Sequence, residues 1–337
     1  MVDSKYKDKK YLAKYNLSLD LFDRFNLKIT DVIPIRSVFI ICTDKGDKIL
    51  KKIDYSAEEL EFQYESIEYI KKRFNRVMNF LKTKEDELYI NNNGHIYCIM
   101  DMVKGRECEF YNSVDINIAS RGLGEFHKAS EGFTCDKSKD NTGKLISNFK
   151  RKLAEMKVYK NIANLHENKN EFDKIFIKNI DYYTEEIIKS IDILDNSSYK
   201  QLCNEKDKVV LCHNDLAHHN ILLYDDEAYF IDFDYSTLDL KVNDLCNFIN
   251  KVIKNSAYDI DKAKQILNEY CRSNTLDKRE LEVLYGMLSF PEEFYNISRD
   301  YYTRRKEWDK EVFIERLKKK TEFREEREEF LIEFRKI

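Results

Sequence analysis

The chain is poor in residues that interrupt regular structure: 337 residues hold only two prolines and eight glycines. That excludes collagen-like, linker-rich and glycine-rich repeat architectures. The eight cysteines, at 42, 98, 108, 135, 203, 212, 246 and 271, form no C-x-x-C pair. The close spacing of a zinc ribbon or a thioredoxin-type site is therefore missing, and buried thiols in a reducing compartment are expected. No run approaches the roughly 18 apolar residues that span a bilayer, and residues 1–20 lack the apolar stretch of a signal peptide. A chain made in the cytoplasm, without membrane association, is expected. A basic surplus is also absent. Lys and Arg number 58 against 62 Asp and Glu, a net charge of −4, which argues against a nucleic-acid partner because phosphate neutralisation needs excess cations.

What is present suffices for a substantial core: 42% hydrophobic and 13% aromatic residues, in a length that allows two domains or one two-lobed unit. Leu17, Leu21 and Phe25 recur at helical spacing. From Ile29 to Ile53 the residues favour strands, with Asp44-Lys45-Gly46-Asp47 as a hairpin turn. Ser56 and Glu59 read as a capping box opening a helix over 57–74. A second hairpin follows, Leu88–Ile90 and His95–Met100 about a turn at 91–94. After Gly105 the pattern turns helical over 115–130, 143–165, 170–194, 241–255, 259–273, 277–289, 291–305 and 310–336, the last a solvated Lys/Glu-rich stretch. Gly122-Leu123-Gly124 lies inside a helical pattern and is no dinucleotide fingerprint. One β-rich island interrupts the helices, with strands at 209–212, 221–224 and 228–232.

The island holds the densest chemistry. His213-Asn214-Asp215 lies between two strands, Asn220 follows five residues after Asp215, and the next hairpin returns the chain to Ile231-Asp232. Carboxylates and an amide oxygen converging at strand ends suit a hard cation such as Mg²⁺, which takes one or two carboxylates and leaves other positions to phosphate and water. A nearby carboxylate outside that shell can accept a proton from a hydroxyl nucleophile. The set resembles the H-x-D-x-x-x-x-N loop of the aminoglycoside phosphotransferase and choline kinase branch, commonly H-G-D-L-H-P-x-N. Here Asn214 replaces Gly, Ala217 replaces His and His218 replaces Pro. The resemblance implies an α+β, two-lobed kinase-like fold, with a β-rich nucleotide-binding lobe over 1–103 and a mainly helical catalytic and acceptor lobe over 104–337. ATP and Mg²⁺ are the implied cofactors. Asp215 would be the catalytic base, Asn220 and Asp232 the metal ligands, and His213 and Asp244 supports of the loop.

The same resemblance asks for a strand lysine on the nucleotide phosphates and a helix glutamate to orient it. Strand alternation favours Lys51 over Lys52. Among Glu61, Glu65 and Glu68, which share a face of the 57–74 helix, Glu65 is favoured and Glu61 is the alternative. Backbone at Asp101, Met102 and Val103 would contact adenine. The segment Ile33–Val38, where a phosphate-covering loop belongs, has no glycine, which weighs against tight nucleotide binding.

Further blocks narrow the resemblance. Glu61–Ile70, Gly105-Arg106-Glu107-Cys108-Glu109-Phe110, Leu123–Phe133, Phe290-Pro291-Glu292-Glu293-Phe294, Tyr301-Tyr302 and Lys306-Glu307-Trp308 are similar to segments of the CotS-type spore coat proteins of endospore-forming bacteria. That implies synthesis in the mother-cell cytoplasm, transfer to the spore coat, and other coat proteins as partners. Glu107 and Glu109 lie where this branch builds its acceptor pocket, and acids there would suit a cationic small molecule; alternatively, Arg106 and Glu107 only fix the lobe junction. Three functions remain open: a kinase for a small hydroxyl-bearing substrate such as a sugar, a coat assembly module without turnover, and an aminoglycoside- or choline-type phosphotransferase.

Overall fold

The computed structural model describes residues 17–337 except 36–37, 137–138 and 255. Strands β1 (Ile29–Ile35), β2 (Val38–Thr43), β3 (Lys48–Ile53), β4 (Phe80–Leu81), β5 (Ile90–Asn92) and β6 (His95–Asp101) make one antiparallel sheet, ordered β1-β2-β3-β6-β4 with β5 also on β6. Period-two alternation gives the sheet two different faces. Leu50, Tyr97 and Ile99 enter a small core closed by Leu21, Phe22 and Phe25, on and just after helix α1 (Leu19–Arg24). Ile53, Cys98 and Met100 enter the main core, which continues into the rest of the chain. Lys51 sits opposite Cys98 in register and so shares that second face, whereas Lys52 sits opposite Tyr97 on the first.

Helix α2 (Ala57–Lys71) starts at Ser56, whose hydroxyl accepts the Glu59 N–H at 3.2 Å. The second half of the expected capping box is not made, because the Glu59 carboxylate pairs with Lys139 at 3.2 Å. Beyond residue 105 come α3 (Ser113–Ser130), α4 (Leu145–Leu165), α5 (Glu171–Asn196), the short α6 (Tyr199–Leu202), α7 (Lys241–Ile253), α8 (Ile260–Tyr270), α9 (Lys278–Leu288), α10 (Glu292–Tyr302), α11 (Lys310–Glu322) and α12 (Arg324–Phe334). Two small sheets thread among them. β7 (Arg106–Glu107), β9 (Ile221–Tyr224) and β10 (Glu227–Phe230) form one, ordered β10-β9-β7; β8 (Val209–Cys212) and β11 (Thr237–Leu240) form the other.

Several boundaries differ from expectation. The expected strand over 228–232 ends at Phe230, because Asp232 has φ 65, a left-handed turn no strand accommodates. The helix expected over 310–336 is two helices broken at Phe323, with ψ 39. β4, β7 and β11 were not expected; β4 and β7, with two residues each, are too short to carry a readable alternation. Gly122 lies within α3, where a Cβ would come within 2.7 Å of the Ala228 Cβ, so the glycine lets α3 press against β10. No two cysteines are joined in a disulfide; Cys98, Cys108, Cys212 and Cys246 are buried, but Cys271 is exposed. Among the described residues, no helix is long and apolar enough to cross a membrane.

Candidate active site

The segment joining β8 to β9 carries His213, Asn214, Asp215 and Asn220. Its shape rests on one buried carboxylate at the start of α7. Asp244 Oδ2 accepts the His213 N–H at 2.6 Å and Oδ1 accepts the Asn214 N–H at 2.8 Å. Asp244 Oδ2 also lies 3.1 Å from His127 Nε2, and His127 Nδ1 lies 2.9 Å from the Tyr270 hydroxyl. Burial holds the His127 imidazole below its ordinary pKa despite the neighbouring Asp244 carboxylate. The consistent proton pattern is Tyr270 donating to Nδ1 and Nε2–H donating to Asp244. His213 is buried as well, with Nε2 2.9 Å from the Ile231 carbonyl and Nδ1 accepting the Asp215 N–H at 3.3 Å. Both its ring nitrogens hold the backbone.

Asn214 has φ 65. This is the left-handed region that glycine tolerates best, and asparagine is among the least penalised of the other residues there. The departure from glycine at this position is thus conformationally conservative. Asn214 adds side-chain bonds to the Tyr235 carbonyl at 2.9 Å and Thr237 Oγ1 at 2.8 Å.

Asp215, Asn220 and Asp232 are brought together. Asn220 Nδ2 donates to the Asp215 carbonyl at 2.9 Å and to Asp215 Oδ2 at 3.0 Å. The Asn220 carbonyl accepts the Ile231 N–H at 3.0 Å, placing Asp232 next along the chain. With its amide nitrogen committed, Asn220 has its side-chain oxygen to offer a cation. Asp232, partly exposed, offers a carboxylate. This hard-oxygen pair fits a Mg²⁺ ion that takes its remaining positions from phosphate and water.

Lys51 reaches this cluster from the sheet. Its Nζ lies 2.6 Å from Asp232 Oδ1 and 2.6 Å from Asp234 Oδ2. Burial works against the ammonium, but the two carboxylates outweigh it and raise its pKa. Glu65, expected beside Lys51, is exposed and accepts a hydrogen bond from the Cys135 thiol at 3.1 Å. On α2, Gln63 is linked through Tyr55 to Asp234, a partner of the lysine. The Tyr55 hydroxyl lies 3.2 Å from Gln63 Oε1 and 3.0 Å from Asp234 Oδ1. Gln63 Nε2 is buried and has no acceptor among the described residues. Glu61 is not among the lysine's ion-pair partners either. The expected glutamate came from a charged stripe on α2, of which Glu65 is exposed and Glu61 and Glu68 are half-buried.

At the junction, Asp101 is tied down by Lys48 Nζ and Asn79 Nδ2, each at 2.8 Å. Burial pushes the Asp101 carboxyl up, but those donors win and its pKa is lowered. Its backbone N–H donates to the Asn79 carbonyl at 2.8 Å. Met102 is exposed and Val103 packs against the main core. Arg36 and Ser37, in the expected phosphate-covering segment, lie outside the described residues. Glu107 is exposed, 3.6 Å from His218 Nε2. Glu109 lines a separate recess of about 270 Å³ with Phe110, Tyr111 and Lys262.

Sequence reasoning missed Lys251. Its Nζ bonds Asp215 Oδ1. Burial raises the Asp215 pKa, but Lys251 and the nearby His213 and His219 outweigh it and lower it overall, keeping Asp215 an anion at neutral pH. The signal was available: Asp244, Asn247 and Lys251 stand three and four residues apart on α7, and all face the loop. Asn247 Oδ1 accepts the Leu216 N–H at 3.3 Å, and its Nδ2 donates to the Asn214 carbonyl at 3.2 Å.

A β-rich half, a helical half and this cluster between them define a kinase-like phosphotransferase fold. Solved structures share it. The aminoglycoside phosphotransferase of Alicyclobacillus acidocaldarius subsp. acidocaldarius matches with a TM-score of 0.83 and 18% identity, over 95% of this chain and 96% of that one. A spectinomycin phosphotransferase, in complex with ADP and spectinomycin, matches at 0.66 and 15% identity, over 94% and 97%. Within that fold the chain belongs to the family described as "Spore coat putative kinase YutH", whose model matches residues 19–334. It is 25% identical over 302 residues to Spore coat protein S of Bacillus subtilis (strain 168), covering 88% of this chain and 86% of that protein.

Proposed function

We propose that this spore coat family member is an ATP- and Mg²⁺-dependent phosphotransferase that phosphorylates a hydroxyl group of a small molecule, and that it is made in the mother-cell cytoplasm and joins other proteins in the spore coat. The observation that carries the reading is the meeting of Lys51, Asp215, Asn220 and Asp232, drawn from the sheet, the β8–β9 loop and the end of the β9–β10 hairpin. Lys51 would hold the nucleotide phosphates. Asn220 Oδ1 and the Asp232 carboxylate would hold the metal, whose charge would offset that of the transferred phosphoryl group when bound. Asp215 would orient the acceptor hydroxyl and accept its proton. Its lowered pKa suits a loose transition state, in which proton transfer need not lead. Likeness of fold to a spectinomycin phosphotransferase crystallised with ADP supports nucleotide use.

The test is thermal unfolding with and without ATP plus MgCl₂. The parent is expected to gain several degrees and Asp232→Ala to gain none; a parent unmoved by the nucleotide would overturn the proposal. One feature favours the coat-module reading, namely the lack of glycine between Ile33 and Val38, because side chains there hinder close approach of backbone amides to phosphate.

A further inference from the structure

The cavity beside the Asp215 loop has a volume of about 510 Å³, and Arg151, Lys152, Lys251, Lys254, Lys320 and Arg327 line it. Three acids accompany these six cations: Asp239, Glu292 and Glu293. Two are already engaged, Glu292 with Lys152 at 2.7 Å and Glu293 with Lys320 at 2.7 Å. Burial pushes the Asp239 carboxyl up to about 7, so it brings less than a full negative charge at neutral pH. Arg327 is held from behind the wall by Glu186 at 3.2 Å and the Ser289 carbonyl at 2.5 Å. Lys251 is held by Asp215.

Lys254 stands differently. It forms no ion pair among the described residues. Partial burial and the neighbouring Lys320, Lys251 and Arg316 hold its ammonium below the ordinary lysine value, with Glu293 pulling the other way. Like charges gathered on a concave wall raise the local potential and favour an anion in the space they enclose. Amides supply part of the remaining lining, among them Asn148, Asn243, Asn250 and Asn296, and an amide can both donate to and accept from hydroxyl groups. Glu107 and Glu109, on which the expectation of a cationic acceptor rested, are absent from this lining.

We propose that the cavity takes a polyhydroxyl acceptor that also carries an oxyanion, a carboxylate or a phosphate, with Lys254 toward the anion and the asparagine amides toward the other hydroxyls. The transfer step rests on the phosphotransferase reading, while the charge preference does not. In transfer, the acceptor oxygen would form the new O–P bond, the bond between the β-oxygen and the γ-phosphorus would break to release ADP, and the hydroxyl proton would pass to Asp215.

Binding of glucose, glucosamine, glucuronate and glucose 6-phosphate, compared by calorimetric titration without nucleotide at low salt, tests the charge preference. At least one of the two anionic sugars is expected to bind at least tenfold tighter than glucose, with glucosamine weakest. Which anion binds better tells carboxylate from phosphate. Lys254→Glu should bring that preference within twofold at an unchanged melting temperature, and Lys254→Gln should fall between. Four indistinguishable sugars, a preference for glucosamine, or a preference untouched by both variants would overturn the inference. ADP release with the same sugars is read separately. Anion preference without ADP release would sink the phosphotransferase reading and leave the cavity's selectivity standing.

Discussion

Replacing Asp244 with asparagine alters almost nothing in size and yet should loosen the whole β8–β9 loop. The native carboxylate is fully buried and accepts three donors: the His213 and Asn214 N–H groups and His127 Nε2–H. An asparagine keeps one oxygen and presents an NH₂ group in place of the other. If the NH₂ faces Asn214, one backbone donor loses its acceptor and meets another donor. If it faces His213 and His127, one backbone and one side-chain donor do. Each hydrogen bond to a charged group contributes about 1.5–3 kcal/mol, so the gentler orientation already costs about 3 kcal/mol once the desolvated, unpaired donor is counted. Such a change multiplies local opening by roughly 100-fold. Amide hydrogen exchange reads this at the atoms concerned. In the parent, the His213 and Asn214 amides should be among the slowest in the loop, and in Asp244→Asn they should exchange about 100-fold faster, with β1–β3 unchanged. A change of less than fivefold at these two amides would refute the argument that Asp244 shapes the loop.

Lys51→Ala should abolish the ATP–Mg²⁺ thermal shift and, without nucleotide, lower stability by about 1–2 kcal/mol, since Asp232 and Asp234 then face each other without their cation while still partly hydrated; a urea titration measures the second effect. Asn214→Ala should be about 1 kcal/mol less stable than Asn214→Gly, the difference reporting the left-handed φ of 65 rather than the lost side-chain bonds, which both variants share. Asp239→Asn should show a pH-dependent gain. Below about pH 4 the Asp239 carboxyl is protonated both folded and unfolded, and between there and its folded value of about 7 only the folded chain holds the proton, so parental stability falls with rising pH across that window. The variant should therefore match the parent at pH 4 and exceed it by about 3 kcal/mol at pH 8, and equal stability at both pH values would contradict the shift.

Much of this architecture could be read from residues alone because local and global signals agree. Alternation put Lys51 and Lys52 on opposite faces, and in the sheet Lys51 shares the face of Cys98 while Lys52 shares that of Tyr97. The long helices after Gly105 showed sustained apolar periodicity and fall close to their expected spans. What escaped were β4 and β7, two residues each and too short to have a period, the strand β11, and features fixed by partners distant in sequence. The 310–336 region illustrates the second kind: its pattern stays helical, and the break appears only where Phe323 leaves helical geometry between α11 and α12.

The orientation of α2 shows why a family rule applied to sequence can select the wrong atom. A glutamate beside the lysine was sought among Glu61, Glu65 and Glu68 because they form a stripe. A charged stripe on a helix packed against a core, however, marks the side that water keeps. Leu60, Phe62, Gln63, Ser66, Ile67 and Ile70 are the buried residues, and the single long polar side chain among them is Gln63. The counter-charge to Lys51 comes instead from the turn after β10, where Asp234 follows Asp232 by two residues. Tyr55 links Asp234 to Gln63, and Lys139 donates to the Asp234 carbonyl at 3.0 Å while pairing with Glu59. A neutral glutamine suffices on the helix because Asp234 already supplies the anion, and a glutamate at position 63 would add a further negative charge to a partly buried cluster that holds two carboxylates against one ammonium.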